Sequence, residues 1–197
     1  GLGDVYKRQD LGRVSWADDR GIRQSRLYAI SAGIGFDALV CELALHAKLK
    51  TFLNRIGLGK LVYLILTVKS MRALQVQDAY IEFEGGESYE LKDMVFAAAM
   101  NQPYEGGGVP MAPDAKNDDG LLSVIFVEDI PKKKMPRMLL RLLLKKHKKI
   151  QGLRLKDTKS VRIHSDTPLV VHSDGEFCGY RTDIRFEAEK GKLRILC

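Results

Sequence analysis

Hydrophobic and polar positions change period several times along this chain, and each change marks a change of element. Leu11 to Ser15 and Arg26 to Ala32 are β-like runs separated by the polar stretch Asp18-Asp19-Arg20-Gly21, which predicts two strands joined by a turn. Gly33-Ile34-Gly35-Phe36-Asp37 interrupts that pattern. A helix is predicted to follow over 38–53, with Asp37 as its N-cap, because a carboxylate there can accept a first-turn N–H. A second helix is predicted over 60–74, where Leu61, Leu64, Ile65, Val68, Met71 and Arg72 recur at i, i+3 and i+4. Ala79 to Glu84 then alternates as a half-buried strand does. Gly85-Gly86 is a hairpin signal, with Ser88 to Leu91 returning.

The middle of the chain is different. Met94 to Met100 is continuously apolar and Leu121 to Val127 is broken only by Ser123, as expected of strands covered on both faces. Between them lies a loop rich in glycine and acid, and after them a basic stretch, Pro131 to Ile150. Alternation resumes in Ser160 to His164, Leu169 to His172 and Thr182 to Glu187, and Lys190-Gly191 is predicted to turn into Lys192 to Leu196. Many strands with a few intercalated helices predict an α+β, mainly β fold: a β-sandwich domain over 10–197, with helical insertions near 38–74 and 131–150. Gly1 to Gln9 has no clear period and reads as translated adapter sequence, so it is set apart from the domain.

Composition narrows the class. A chain of 197 residues with 45% hydrophobic content can bury a substantial core. Apolar stretches such as Leu61 to Leu66 are far too short to span a bilayer. No basic-then-apolar leader is visible, and Cys41, Cys178 and Cys197 form neither a disulfide framework nor a metal motif. A cytoplasmic location with free thiols is the expectation. The net charge of +7 favours anionic surfaces. No aromatic-rich strand signature, zinc spacing or helix-turn-helix accompanies it, so nucleic acid is not expected as a partner. His46, His147, His164 and His172 share no metal-ligand spacing.

Two short stretches carry the chemistry. The first runs from Gly106-Gly107-Gly108 to Ala112-Pro113-Asp114-Ala115-Lys116-Asn117-Asp118-Asp119-Gly120-Leu121-Leu122. Three glycines permit close approach of a ligand or another backbone, and oxygen donors in such a loop suit Mg²⁺ or Ca²⁺; a wide strand-to-strand turn is the alternative. An EF-hand is excluded, because a loop starting at Asp114 has Asp119 where glycine is required and Ile125 where a bidentate Glu is required. The second stretch is His172-Ser173-Asp174-Gly175-Glu176. Asp-Gly alone is a hairpin bend, but a carboxylate fixed beside it could take the proton of an attacking alcohol.

The order and wording of these stretches resemble the C-terminal half of the diacylglycerol kinase-like bacterial lipid kinases, which are also similar to the sphingosine kinases. The matching residues are Asn101, Tyr104, Gly106 to Gly108, Ala112-Pro113-Asp114-Ala115, Asp119-Gly120-Leu121-Leu122 and Asp174-Gly175-Glu176, with Gly35-Phe36-Asp37-Ala38 and Asp10-Leu11-Gly12-Arg13 upstream. The resemblance implies the substrate-side domain of a two-domain, ATP-dependent kinase that phosphorylates a lipid hydroxyl. Within it, Glu176 would be the proton acceptor. Mg²⁺ would be held by the Asp119 carboxylate and the carbonyls of Lys116 and Leu121, ordering water toward the cleft. ATP would be co-substrate of the full enzyme, bound mainly through a Gly-Gly-Asp-Gly-Thr loop on an N-terminal α/β nucleotide-binding domain. That string does not occur here, so this chain alone is expected to be inactive.

The basic stretch fits the same picture. Lys132 to Lys134, Arg137, Arg141, Lys145, Lys146, Lys148 and Lys149 surround an apolar set in an expected amphipathic helix. Lys145, Lys146, Lys148 and Lys149 are candidate contacts with an anionic membrane, where each cation near the surface contributes roughly 1 kcal/mol; a solvated face over a packed stripe is the alternative. Expected partners are therefore a lipid substrate, an anionic membrane surface at the inner membrane and the missing nucleotide-binding domain, with a second copy of the chain as a further candidate. A non-catalytic membrane-binding module of the same fold is the competing function.

Overall fold

The computed structural model describes residues 6–18, 20–45, 67, 69–105 and 108–196. Its strands are β1 (Tyr6–Ala17), β2 (Arg23–Tyr28), β3 (Ser31–Gly35), β4 (Gln77–Phe83), β5 (Ser88–Met94), β6 (Phe96–Met100), β7 (Leu122–Val127), β8 (Leu153–Thr158), β9 (Ser160–Ser173) and β10 (Glu176–Leu196). Helix α1 spans Phe36–Leu45 and α2 spans Met135–Leu143. Residues 69–73 are also helical. The remainder of the helix expected over 60–74, and the end of the one expected over 38–53, lie outside the described residues.

The strands join in one antiparallel sheet ordered β2-β1-β10-β9-β3-β6-β7-β8, with β4 bonded to both β5 and β9. Strand β9 is where the sheet forks. Its first half, Val161 to His164, pairs with β4, and its last residues, Val171 to Ser173, pair with β3. Pro168 sits between these halves and has no N–H to offer a neighbour. The fork folds the sheet over itself, and the enclosed core holds Val14, Ile34, Ile81, Val124, Phe126, Ile163 and Phe186.

A second core lies on the other face of β6 and β7. Phe96, Ala98, Met100, Ile125 and Val127 pack there against Phe36 of α1 and Met135, Met138 and Leu142 of α2. Ala97, Ala99, Val124 and Phe126 point into the sandwich. Covering on both faces is why the alternation vanishes in these two strands, as the sequence suggested.

Several local expectations need correction. The run Arg26 to Ala32 is not one strand: it breaks at Ala29-Ile30, whose N–H groups turn away from the ladder to the Asp174 carboxylate. Gly33 to Gly35 do not interrupt the strand pattern; they form the buried second half of β3, which ends at Gly35. Ser160 to His172 forms one strand rather than two. Lys190-Gly191 is not a hairpin either. β10 continues through it, and the extra residues form a bulge opposite Asp10, where the register jumps from Gln9↔Leu193 to Leu11↔Glu189. Residues 6–9, set apart on sequence grounds, extend β1 and pair with the end of β10.

The basic stretch is not a single amphipathic helix. Regular helix stops at Leu143, Lys145 adopts a left-handed φ of 55°, and a short 3₁₀ turn covers His147–Lys149. Met135, Met138 and Leu142 are the buried stripe at i, i+3 and i+7. The run of cationic residues after Leu144 has no apolar period to continue it.

Candidate active site

The Asp174-Gly175 turn organises this region. Both residues have positive φ, 48° and 81°, the conformation of a tight two-residue hairpin connection and the reason glycine fits its second position. The turn joins β9 to β10 at the pair Ser173↔Glu176. The Asp174 carboxylate accepts three backbone N–H bonds, from Ala29 at 2.7 Å, Ile30 at 2.8 Å and Ser31 at 3.1 Å. It thereby fastens the hairpin to the β2–β3 connection. Glu176, two residues on, points to solvent with 72% of its side chain exposed, and its Oε2 meets Arg26 Nη1 at 3.1 Å. Arg26, Ser173, Asp174 and Glu176 together line a shallow polar hollow of about 310 Å³.

On the other side of the same turn is a cavity of about 350 Å³. Its wall is mainly apolar, including Phe36, Phe96, Met111, Met138 and Leu142 from the second core, but Asp37, Glu105 and Asp174 make one corner acidic. Beneath that corner lies His172, with a fully buried side chain. Its Nε2 is 2.9 Å from Asp37 Oδ2 and 3.3 Å from Glu105 Oε1. Burial pulls the His172 pKa down, but attraction to Asp37, the hydrogen bond that the imidazole donates to Asp37 and attraction to Glu105 outweigh that effect and raise it to about 9. Burial is also the main influence on Glu105, raising its pKa against the opposing pull of His172.

Local sequence explains why these groups can meet. Asp37 sits in the first turn of α1, with Oδ1 accepting the Ala38 N–H at 2.8 Å. It therefore receives a first-turn N–H as expected, from inside the helix rather than as its cap, and its second oxygen is free for His172. Gly33 makes room for the pair: a Cβ there would lie 2.3 Å from Asp37 Oδ2 and 2.9 Å from His172 Nε2. The donor atoms of Asp37, Glu105 and His172 fall within 4.8 Å of one another, the spacing of a metal site. With His172 held protonated, the arrangement is an ion triad.

The glycine-rich and acidic loop is held from behind by Asp10. This buried carboxylate accepts the Gly120 N–H at 2.6 Å and the Gly191 N–H at 2.7 Å, while the Asp10 N–H donates to the Asn117 carbonyl at 2.7 Å. Asn101 Nδ2 donates to the carbonyls of Asp10 and Ala29, both at 2.9 Å. Asp119 is exposed, and its Oδ1 accepts the Leu121 N–H at 2.9 Å. A rigid loop with an exposed carboxylate and flanking carbonyls suits a hard divalent cation by donor type. Lys116 is exposed and Leu121 half-buried in the same loop.

Lys145, Lys146, Lys148 and Lys149 are all exposed. Lys145 is already engaged, donating to Tyr104 Oη at 2.8 Å and lying 5.2 Å from the centre of its ring. Leu140, Leu143 and Leu144 beside them are about half exposed.

Sequence reasoning named Glu176 and the Asp119 loop but missed Glu105, the Asp37–His172 pair and Asp10 as a clamp. Each joins residues far apart in the chain, and no local spacing could reveal them. The hints were single residues: an acid before three glycines, an acid opening a helix, a histidine in an apolar strand.

Comparison with known proteins agrees with this architecture. Residues 30–197 match the family described as the YegS C-terminal NAD kinase beta sandwich-like domain. The chain belongs to that family. A Bacillus subtilis protein with the provisional name lipid kinase YtlR is 28% identical over 185 residues, covering 94% of this chain and 59% of its own length. A Mycobacterium tuberculosis protein named diacylglycerol kinase is 25% identical over 169 residues, covering 85% and 50%. The chain thus spans between half and three fifths of these relatives. Two structures from Bacillus anthracis superpose with TM-scores of 0.65 and 0.58, at 18% and 16% identity, each over 98% of this chain. The second is named a diacylglycerol kinase and is covered over 54% of its length; at that identity the likeness concerns the fold. Among the described residues no helix is long and apolar enough to cross a membrane.

Proposed function

We propose that this domain is the substrate side of an ATP-dependent lipid kinase that phosphorylates a lipid hydroxyl of the diacylglycerol type. The observation that carries this reading is the Asp174-Gly175 hairpin: one side borders a mainly apolar cavity with an acidic corner, and the other presents Glu176 in a polar hollow. A lipid with its chain in the cavity would have its headgroup at this turn. In the reaction, the hydroxyl oxygen attacks the γ-phosphorus of ATP as its proton passes to Glu176 and ADP departs. Arg26 fixes one oxygen of Glu176 and leaves Oε1 for that proton.

Lys116, Asp119 and Leu121 would hold Mg²⁺, which when bound supplies fixed positive charge and ordered water at the cleft. Asp10 keeps that loop rigid. The nucleotide site belongs to the rest of the enzyme, so the 197-residue chain by itself is expected to give no turnover. The test is ATP-dependent phosphorylation of dioleoylglycerol by the full-length protein. Glu176→Gln should cut turnover by about 10²–10⁴-fold, the range for loss of a general base, while leaving thermal stability unchanged. Undiminished turnover would remove Glu176 from the reaction.

A second reading, a domain that docks on anionic membrane, is favoured by exposed Leu140, Leu143 and Leu144 next to exposed lysines. Peripheral binding at the inner membrane surface is compatible with the kinase reading and does not require it. Lys146→Glu, Lys148→Glu and Lys149→Glu together should weaken binding to vesicles of phosphatidylglycerol and phosphatidylcholine, each removed cation accounting for roughly 1 kcal/mol. Unchanged binding would exclude this surface.

A further inference from the structure

The break between β2 and β3 and the bulge at Asp10 are joined through one side chain. At the break, the N–H groups of Ala29 and Ile30 go to the Asp174 carboxylate, and their carbonyls must be satisfied from elsewhere. Both are served by Asn101, which directly follows β6. Its side-chain amide donates to the Ala29 carbonyl at 2.9 Å, and its backbone N–H donates to the Ile30 carbonyl at 2.8 Å. The same Nδ2 donates to the Asp10 carbonyl, also at 2.9 Å. The Asp10 N–H in turn donates to the Asn117 carbonyl, and its carboxylate accepts the Gly120 N–H. A line of hydrogen bonds therefore runs from the Asp119 loop through Asp10, Asn101 and Ala29 to Asp174, two residues before Glu176. Asn101 is only 1% exposed. A primary amide suits this place because one nitrogen carries two N–H donors; Asp would keep the shape and lose both.

We propose that Asn101 is a positioning residue for phosphoryl transfer: by tying the Asp119 loop and the Asp174-Gly175 hairpin to one amide, it fixes where Glu176 stands relative to that loop. The proposal rests on the lipid-kinase reading and deepens it. The Glu176 side chain is largely exposed and meets the partly exposed Arg26, so packing does not place it. Its position comes from the hairpin backbone, which Asp174 fastens to residues 29–31. Asn101 holds those residues from the opposite side, through their carbonyls. It acts on the reacting group through the backbone, without touching it. Loss of the amide would let the hairpin and the loop drift apart while leaving the walls of the cavity and of the polar hollow in place. A misplacement of about 1 Å can cost 10²-fold in rate, and a loss confined to the reacting geometry falls on kcat rather than on KM.

The test is ATP-dependent phosphorylation of dioleoylglycerol by the full-length protein carrying Asn101→Asp or Asn101→Ala. Ile81→Ala, which removes buried volume from the sandwich core on β4 and touches none of these hydrogen bonds, controls for lost stability. Each Asn101 variant should lower kcat about 10–10²-fold, with KM for ATP and for lipid within about threefold of wild type. Ile81→Ala, also destabilised in urea, should keep the wild-type kcat. Hydrogen exchange followed by NMR in the wild-type chain is the independent arm: the two Asn101 Nδ2 protons should be protected to the same degree as the Ile30 and Gly120 amides, as members of one opening unit are. This arm stands even where a variant does not fold. A kcat within about twofold of wild type in both Asn101 variants, or an equal fall in Ile81→Ala, overturns the proposal. Nδ2 protons that exchange like those of a free amide overturn it too. An active wild type with undiminished Asn101 variants removes only the role of Asn101, whereas a wild type without turnover removes the kinase reading itself.

Discussion

Removing His172 should abolish the largest pH-dependent part of this domain's stability above neutral pH. The imidazole is fully buried between Asp37 and Glu105, and its pKa is raised to about 9 from an ordinary value near 6.5. In the unfolded chain the proton leaves near that ordinary value, so between the two pKa values the native state binds more protons than the unfolded state. Stability must then fall as pH rises through this window; it is fully present below about pH 6.5 and lost above about 9. The shift is roughly 2.5 units at about 1.36 kcal/mol each, which gives a loss of about 3 kcal/mol between pH 6 and pH 9. Glu105, also raised by burial, contributes in the same direction from a lower pH. Urea unfolding at about pH 6, 7.5 and 9 measures this slope directly. His172→Gln should be less stable at pH 6 by about 3–5 kcal/mol, because two largely buried carboxyls lose their counter-ion, and its slope above pH 6.5 should be shallower than that of wild type. A wild-type slope no steeper than that of the variant would refute the ion triad.

Two further substitutions probe what supports the site. Gly33→Ala places a methyl 2.3 Å from Asp37 Oδ2 and 3.0 Å from the Ala97 carbonyl; overpacking with loss of the Asp37–His172 contact should cost about 2–5 kcal/mol, read as a lower urea midpoint, whereas a change under about 0.5 kcal/mol would mean that α1 shifts freely. Asp10→Ala removes the acceptor for the Gly120 and Gly191 N–H groups and should cost about 2–4 kcal/mol, with faster amide hydrogen exchange at Gly120 and Gly191; unaltered exchange at both would rule out the clamp.

The antiparallel sheet was legible because its signals are local. The turn chemistry of Gly85-Gly86 and Asp174-Gly175, and the doubly apolar β6 and β7, depend only on neighbouring residues and on which faces are covered. The loop motifs were legible for the same reason, being short strings whose meaning lies in their order. Errors arose where a local signal competed with a distant partner. Lys190-Gly191 looks like a hairpin, but Asp10 draws the Gly191 N–H into a bulge and the strand runs on. Arg26 to Ala32 looks continuous, but Asp174 captures its middle. The cationic tail of α2 carries enough lysines for a longer helix, but its buried stripe ends at Leu142.

What the sequence determined by itself was the class of fold, the loop with its oxygen donors and the position of Glu176. Each is fixed by backbone preference, alternation or residue order over a few positions. The acidic corner of the cavity was decided only by tertiary structure. Asp37, Glu105 and His172 come from a helix start, a loop and a strand far apart in the chain, and each has an unremarkable local context. Their chemistry exists because β3 and β9 are adjacent in the sheet, because Gly33 leaves space between them, and because burial makes three ionisable groups depend on one another.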